Sequence, residues 1–127
     1  MPAPLQIPAV GATATRRVAI TPALEDAFLA LSGDPNPLHT DDGFAAAQGF
    51  GARIAHGLMV AGLTLPALGE VLGTPGFLCL TQSLKYHRPV ALTDVLDIAA
   101  TIRHVTPALG IVVVGLEARV GAQVVLS

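Results

Sequence analysis

The spacing of hydrophobic residues divides the chain into three zones, and the first zone begins with a strand. Residues 13–20 are typical of a β-strand, and Thr21-Pro22 then supply an N-cap and a proline at the first helical position. Apolar residues from Leu24 to Leu31 recur at the i, i+3, i+4 and i+7 positions, which predicts a short amphipathic helix. We expect Ser32-Gly33 to end this helix.

A polar segment rich in proline and glycine follows the first helix. Residues 34–40 are predicted to form a proline-stiffened loop, because two X-Pro pairs favour extended backbone before each proline. Asp41 or Asp42 can then cap a short helix that runs through Ala47.

The second zone, residues 57–72, is apolar on nearly every face of a helix. Such a helix has to be surrounded by other elements, so we expect one buried helix here, which Pro66 kinks or ends early. The hydrophobic stretch 54–72 includes His56 and Glu70 and holds no run of about 18 apolar residues, so no membrane span is predicted.

The third zone predicts four strands in succession, over residues 77–88, 95–105, 111–120 and 124–126. Turn signals such as Thr106-Pro107 and Gly121-Ala122 separate them. Helices followed by an antiparallel meander indicate an α+β domain, in which the sheet curves around the apolar helix.

Composition then limits the size and the class of the protein. The 127 residues fit a single domain over residues 1–127. With 52% hydrophobic and 13% charged residues, the chain has more apolar surface than so small a domain buries, so we expect a second subunit to cover part of it. The net charge of −2 and the lack of a basic run argue against a nucleic-acid partner.

A single cysteine, Cys79, excludes an intramolecular disulfide and a cysteine-based zinc site. It is predicted to lie in an apolar strand, where thiols are usually inert. The N-terminal residues lack the basic start of a secretory signal, and prolines interrupt any hydrophobic segment there. We therefore expect a soluble protein of a reducing compartment, the cytoplasm.

Residues that can carry chemistry concentrate between Ser32 and Leu63. Asp34 and His39 stand on the stiff loop and could hold one water molecule between them, with the carboxylate accepting its proton and the imidazole orienting it. The alternative is structural, because Asp-Pro and Asn-Pro pairs start turns, and His39 would then be a surface residue.

His56-Gly57 stands at the predicted start of the apolar helix. The first helical N–H groups have no intrahelical partner, and a glycine there lets a ligand carbonyl approach the backbone, as in an oxyanion hole. A tight turn is the alternative for Gly57. For His56 we favour a buried histidine that bonds backbone carbonyls.

Other chemistries fit these residues less well. The imidazoles and carboxylates of His39, Asp41, Asp42 and His56 match no metal-ligand spacing, and the aspartates are better explained as helix caps, so no metal is expected. The serines lack a nucleophile elbow, and the glycines lack the pattern of a phosphate-binding loop.

Two consecutive motifs carry a family resemblance that covers most of the chain. G-D-P-N-P-L-H-T-D at 33–41 and F-A-A-A-Q-G-F-G-A-R-I-A-H-G-L-M at 44–59 resemble the MaoC-like family of (R)-specific enoyl-CoA hydratases. The resemblance implies a hot-dog fold, in which an antiparallel sheet wraps a long central helix. It also implies a homodimer, in which two subunits join into one continuous sheet.

The resemblance further implies roles for individual residues. Asp34 and His39 match the catalytic pair, Gly57 matches the glycine whose N–H binds the thioester carbonyl, and Asn36 matches a residue that shapes the active-site loop. His56 belongs to the same motif and is given a structural role only. For Asp34 to act as the base, we expect a partly desolvated pocket that raises its pKa toward the working pH.

The implied reaction is the reversible addition of water to a trans-2-enoyl-CoA, which gives an (R)-3-hydroxyacyl-CoA without a cofactor or a metal. Three alternatives share the scaffold: a 3-hydroxyacyl dehydratase subunit that acts on acyl carrier protein, an acyl-CoA thioesterase, and a non-catalytic acyl-CoA-binding subunit. The acid–imidazole pair argues against the last two, and the lack of a basic patch argues against an acidic carrier protein.

Some features leave the substrate open. Leu65 and Pro66 stand where family members often have small or polar residues, and the closing V-V-L-S is shorter than the expected final strand, so the acyl length is not predicted. Three basic residues could meet the phosphates of CoA, but we interpret them as surface residues: Arg53, Lys85 and Arg88.

Overall fold

The strands form one antiparallel sheet whose spatial order follows the sequence. The computed structural model describes residues 4–73 and 75–127. Its elements, in chain order, are β1 (Thr13–Ala19), α1 (Pro22–Ser32), α2 (Pro37–Thr40), α3 (Asp42–Ala47), α4 (Gly57–Gly62), α5 (Leu65–Leu72), β2 (Val95–Thr106), a 3₁₀ turn (Pro107–Leu109), β3 (Ile111–Val120) and β4 (Gln123–Leu126). The four described strands pair in the order β1-β2-β3-β4, all antiparallel. Helices followed by a meander confirm the predicted α+β class.

One face of β2 supplies the centre of the hydrophobic core. Every second residue from Leu96 to Ile102 is buried, as the two-residue period of a pleated strand requires. The buried residues Ala67 and Val71 lie on α5, which contacts both β1 and β2. The sheet therefore packs against one side of the helical pair.

The first helix begins and ends at its predicted residues. The Thr21 hydroxyl accepts a hydrogen bond from the N–H of Leu24 at 3.2 Å, which satisfies one of the free amides of the first turn. Gly33 has a φ of +68° and donates its N–H to the carbonyl of Leu29. Because this left-handed backbone favours glycine, the chain leaves α1 at this point and enters the polar segment.

The structure divides residues 57–72 into α4 and α5, so the interruption predicted at Pro66 is confirmed, whereas the prediction of one helix is wrong. Pro66 lies in the first turn of α5, where its missing N–H leaves no helical hydrogen bond unmade. Its ring is incompatible with an uninterrupted helix through the preceding turn. The break therefore falls at Leu63 and Thr64, and the buried Thr64 hydroxyl donates to the carbonyl of Ala61 at 2.5 Å.

The helical pair is also not surrounded on every face. Leu58 on α4 and Leu65 on α5 are 64% and 60% exposed, respectively. The prediction of a fully surrounded helix is wrong for the single chain, since one apolar face stays open to solvent. Within the described residues, no helix combines the length and the apolar character needed to cross a bilayer.

The strand predicted over 77–88 is wrong for most of its length. Backbone pairing begins at Lys85, which exchanges two hydrogen bonds at 2.7 and 3.0 Å with Ser127, the residue after β4, and it continues along β4 with the N–H of His87 to the carbonyl of Val125. Residues 77–84 have no hydrogen-bonded strand beside them in the described part of the chain, and a strand exists only with such a neighbour. Cys79 lies in this segment and is exposed, so its predicted place in an apolar strand is wrong as well.

Candidate active site

A cavity of about 560 Å³ opens beside α1 and α4. Three of the four residues predicted from the sequence line it: Asp34, His39 and Gly57. His56 lines it too, whereas Asn36 is not among its lining residues. Much of the remaining wall is apolar and includes the side chains of Phe28, Ile54, Val60, Val90 and Val125.

The loop after α1 is folded by its own side chains. Asp34 Oδ1 accepts a hydrogen bond from the N–H of Asn36 at 3.1 Å, and Asn36 Oδ1 accepts one from the N–H of Leu38 at 3.0 Å. The second bond caps α2, a one-turn helix in a segment predicted to be a loop throughout. Asn36 therefore starts the helix that carries His39, and its side chain is occupied within the loop.

His39 has one ring nitrogen fixed and the other open. Its Nδ1 lies 2.7 Å from the carbonyl oxygen of Ile54, and a carbonyl only accepts, so Nδ1 carries the proton. Among the described residues, Nε2 of His39 has no hydrogen-bond partner. Every side-chain nitrogen that is buried among these residues does have a partner, so Nε2 is not buried. The lone pair of Nε2 is therefore accessible at the wall of the cavity.

His56 is buried as predicted, but its ring bonds two carboxylates and not backbone carbonyls, so the predicted hydrogen-bond partners are wrong. The ring is buried, its Nδ1 makes a short hydrogen bond to the Glu25 carboxylate, and its Nε2 lies 3.0 Å from Asp34 Oδ2. Its backbone N–H also donates to both Glu25 oxygens, at 3.2 and 3.3 Å. His56 therefore joins a buried acid to the acid of the loop.

Glu25 is the residue that sequence reasoning missed. It lies in the first turn of α1 and is completely buried. Glu25 is not part of the apolar stripe of this helix, although Glu25 and Phe28 are three positions apart and so share a face. The sequence does contain a signal for Glu25. It is a charged residue beside the apolar stripe of a helix that leads into the D-P-N-P-L-H loop.

Hydrogen bonding holds Asp34 in its ionised form. The bond from the Asn36 N–H is the largest cause that lowers the pKa of Asp34 from its ordinary value of 3.8, followed by the bond to His56. The charges of His56 and His39 act in the same direction, whereas desolvation raises the pKa and is outweighed. The expected rise in the pKa of Asp34 is therefore wrong, because the half-exposed carboxylate is hydrogen-bonded more than it is desolvated.

Gly57 is the first residue of α4, so its N–H has no acceptor within the helix. A Cβ atom at this position would lie 2.7 Å from Cε1 of Tyr86, closer than packed carbon atoms approach. The close approach of the Tyr86 ring is thus one reason for glycine here, and the sequence alone did not show it.

One group of side chains has the composition of a metal site. Glu25, His39 and His56 each place one potential ligand atom within 4.8 Å of the others, a set different from the one considered from the sequence. However, Nδ1 of His39 bonds the carbonyl of Ile54, and Nδ1 of His56 bonds Glu25. A ring nitrogen that donates a proton has no lone pair for a metal, so the geometry fits a hydrogen-bonded network better.

The three basic residues considered for CoA differ in their surroundings. Arg53 forms an ion pair with Asp26 at 2.9 Å, and Lys85 pairs through its backbone with Ser127. Arg88 is exposed, as interpreted from the sequence, and it also borders the cavity.

The chain is similar to known proteins over most of its length. Residues 8–123 match the family described as "MaoC like domain". The 3-hydroxybutyryl-CoA dehydratase of Methylorubrum extorquens is 36% identical over 100 residues, which are 79% of this chain and 64% of that protein. The (R)-specific enoyl-CoA hydratase of Rhodospirillum rubrum is 34% identical over 100 residues, which are 79% of this chain and 69% of that protein.

A solved structure is similar over nearly the whole chain. The (R)-hydratase from Aeromonas caviae superposes with a TM-score of 0.86 at 31% identity, over 93% of this chain and 90% of that one. The stretch matched by sequence spans just under two-thirds of the dehydratase from M. extorquens and slightly more of the hydratase from R. rubrum.

Proposed function

The chain belongs to the MaoC-like domain family and has the hot-dog fold, and from this premise we propose that it adds water reversibly to trans-2-enoyl-CoA to give (R)-3-hydroxyacyl-CoA. Relatives named as an enoyl-CoA hydratase and a 3-hydroxybutyryl-CoA dehydratase support the proposal, since hydration and dehydration are one reaction in two directions. The observation that carries it is the position of Asp34, His39 and Gly57 on one cavity.

The substrate's thioester supplies the electron withdrawal that the reaction needs. When water attacks the β-carbon, negative charge develops on the thioester oxygen. We assign the N–H of Gly57 to that oxygen, because it is free of intrahelical bonding and lines the cavity. One such donor is typically worth about 10²–10³ in rate.

Asp34 and His39 divide the proton transfers. The open Nε2 of His39 orients the water, and the Asp34 carboxylate accepts one of its protons as the oxygen bonds to the β-carbon. Asp34 then delivers a proton to the α-carbon on the same face, which completes the addition of one water. The lowered pKa of Asp34 makes its protonated form a stronger acid than an ordinary carboxyl, which assists this second transfer, and makes the carboxylate a weaker base in the first.

No cofactor or metal is part of the proposed reaction, since CoA enters only as part of the substrate. Arg88 on the cavity wall offers a positive charge to the phosphates of CoA. We place the reaction in the cytoplasm, where an exposed free thiol such as Cys79 stays reduced.

We further propose that the protein is a homodimer. Leu78 and Leu80 in the 77–84 segment are 82% and 74% exposed, and Leu58 and Leu65 expose the open face of the helices. Exposed apolar residues on a segment that has no hydrogen-bonded neighbour in the described part of the chain are typical of a surface that a second subunit covers. A second copy of the chain would extend the sheet beyond residues 85–87, which already pair with the outer edge of β4.

Absorbance at the conjugated-enoyl band tests the activity directly. We expect the band of crotonyl-CoA, or of a longer enoyl-CoA, to disappear when the protein is added. Asp34→Asn should lower kcat by roughly 10²–10⁴-fold. Asp97→Asn, an exposed acid on β2 paired with Arg17, is the matched control and should keep full activity. No change in the band with any acyl length would refute the proposed hydration.

The alternatives are separated by the substrate and the product. Release of free thiol instead of loss of the enoyl band would indicate a thioesterase. Faster turnover of a carrier-bound 3-hydroxyacyl thioester than of the CoA thioester would indicate a dehydratase subunit for acyl carrier protein. Binding of acyl-CoA without any turnover would indicate a non-catalytic subunit.

A further inference from the structure

Glu25 is a completely buried carboxylate to which the catalytic scheme gives no role. The hydrogen bonds found for it in the described residues all come from His56, through the backbone N–H and through Nδ1. A carboxylate in an apolar interior is unfavourable unless it is paired and hydrogen-bonded. The hydrogen bonds that Glu25 accepts from His56 therefore explain why a carboxylate is buried in the first turn of α1.

The hydrogen bonds of His56 fix the number of protons in the network. Nδ1 faces the Glu25 carboxylate and Nε2 faces Asp34 Oδ2 at 3.0 Å. Ionised carboxylates only accept, so each of these two bonds needs a proton. Two protons are thus shared by one imidazole and two acids, and with both acids ionised the ring carries both of them.

The rings packed on His56 make its charge matter to the neighbouring histidine. The His39 ring stacks on it with centroids 3.7 Å apart, and Phe28 covers it at 5.0 Å. A second positive charge at that distance is unfavourable. A positively charged His56 therefore favours the neutral form of His39, the form whose Nε2 can accept a hydrogen bond from water.

We propose that Glu25 is a positioning residue that keeps both ring nitrogens of His56 protonated, and through His56 keeps Asp34 ionised and His39 neutral. Its kinetic consequence rests on the proposed hydratase activity, whereas the protonation of the ring does not. Besides Asp34, His39 and His56, the titratable or charged residues that line the cavity are Tyr86, His87 and Arg88.

Nitrogen NMR of the histidine rings in the wild-type protein is the first test. At pH 7 we expect both ring nitrogens of His56 to carry protons and those of His39 to show the Nδ1–H neutral form. Assignment comes from comparison with His56→Gln and His39→Asn. A neutral His56 ring at pH 7 would overturn the proposal, whether or not the protein hydrates enoyl-CoA, so the two failures are distinguishable.

The second test compares acids on the same helix. Glu25→Gln removes the charge from the buried site, and Asp26→Asn removes one from the adjacent exposed position, where Asp26 pairs with Arg53. With Glu25→Gln we expect loss of one ring proton of His56, a rise in the pKa of Asp34, and a roughly 10- to 100-fold lower kcat with little change in KM. The acid limb of the pH–rate profile should therefore move to higher pH, whereas Asp26→Asn should keep the wild-type profile.

Glu25→Asp distinguishes charge from packing, because it keeps the carboxylate on a shorter side chain. Partial recovery of kcat and of the acid limb relative to Glu25→Gln supports the proposal. A Glu25→Gln protein that folds and keeps the wild-type pH profile and ring protons contradicts it. Should Glu25→Gln fail to fold, the ring state of the wild-type protein decides the question alone.

Discussion

The imidazole rings of His39 and His56 stack with their centroids 3.7 Å apart and their planes at 28°, although α3 separates the two residues in the sequence. Each ring has a different set of partners, a backbone carbonyl for His39 and two carboxylates for His56. At the cavity, His39 therefore has one ring nitrogen without a hydrogen-bond partner among the described residues, whereas both ring nitrogens of His56 are hydrogen-bonded. We expect substitutions of the two residues to have different effects.

His39→Asn separates the two nitrogens of His39. The asparagine amide can donate to the carbonyl of Ile54 as Nδ1 does, but it offers no basic nitrogen to the cavity. We expect kcat to fall by roughly 10²-fold or more, since general acid–base catalysis contributes about 10²–10⁴. The free energy of unfolding in urea should change by less than about 1 kcal/mol.

His39→Ala is the comparison for that variant. It removes the donor as well, and an unsatisfied carbonyl costs about 1–3 kcal/mol, so the alanine variant should be both inactive and less stable. Wild-type turnover by His39→Asn would exclude Nε2 from the reaction.

The lowered pKa of Asp34 predicts how stability depends on pH. The pKa of Asp34 is lower in the folded chain than its ordinary value of 3.8. The ionised carboxylate therefore stabilises the fold at pH values above 3.8. The contribution is lost as the pH falls through the folded pKa. Urea unfolding of the wild type and of Asp34→Asn should therefore differ most near neutral pH, and the difference should shrink below about pH 4. A difference that grows on acidification would contradict the assigned direction.

Local signals in the sequence predicted α1 and its ends correctly. The Thr21 cap and the left-handed Gly33 act through contacts within one helical turn, so the neighbouring letters contain the necessary information. The same holds for Asp41, whose side chain accepts a hydrogen bond from the N–H of Phe44 and caps α3.

Contacts between distant residues could not be predicted in the same way. The carboxylate of Glu25 and the ring of His56 meet only because α1 and the residue before α4 pack together. The lowered pKa of Asp34 follows from the turn at Asn36 and from the hydrogen bond to His56, which lies 22 positions away in the sequence. Residues 77–84 show the opposite case, since their strand-like pattern has no pairing neighbour in the described part of the chain.

Leu80→Glu tests the proposed homodimer. Leu80 is 74% exposed in the 77–84 segment, and a charge there would be buried against a second copy. We expect the variant to be monomeric by light scattering at concentrations where the wild type is a dimer. Leu109→Glu is the matched control, because Leu109 is 71% exposed in the turn between β2 and β3. This substitution should leave the mass of the dimer unchanged. A wild-type protein that is monomeric at every concentration would refute the dimer.

The contact between Gly57 and Tyr86 predicts a specific coupling between two substitutions. An alanine at position 57 places its Cβ 2.7 Å from the ring of Tyr86, so the ring has to move. Overpacking of this kind costs about 1–3 kcal/mol, and it should also lower kcat, since the displaced ring lines the same cavity as the Gly57 amide. Gly62→Ala in the same helix meets no atom of the described residues within 4 Å, so this substitution should be neutral or stabilising by up to about 1 kcal/mol.

A double-mutant cycle isolates that contact. In a Tyr86→Ala background the ring is absent, so adding Gly57→Ala should cost less than half of what it costs in the wild type. Urea unfolding of the four proteins gives the coupling energy, and kcat shows whether the amide still serves the substrate. Equal costs in the two backgrounds would mean that the glycine is needed for its backbone alone and that the ring of Tyr86 moves aside freely.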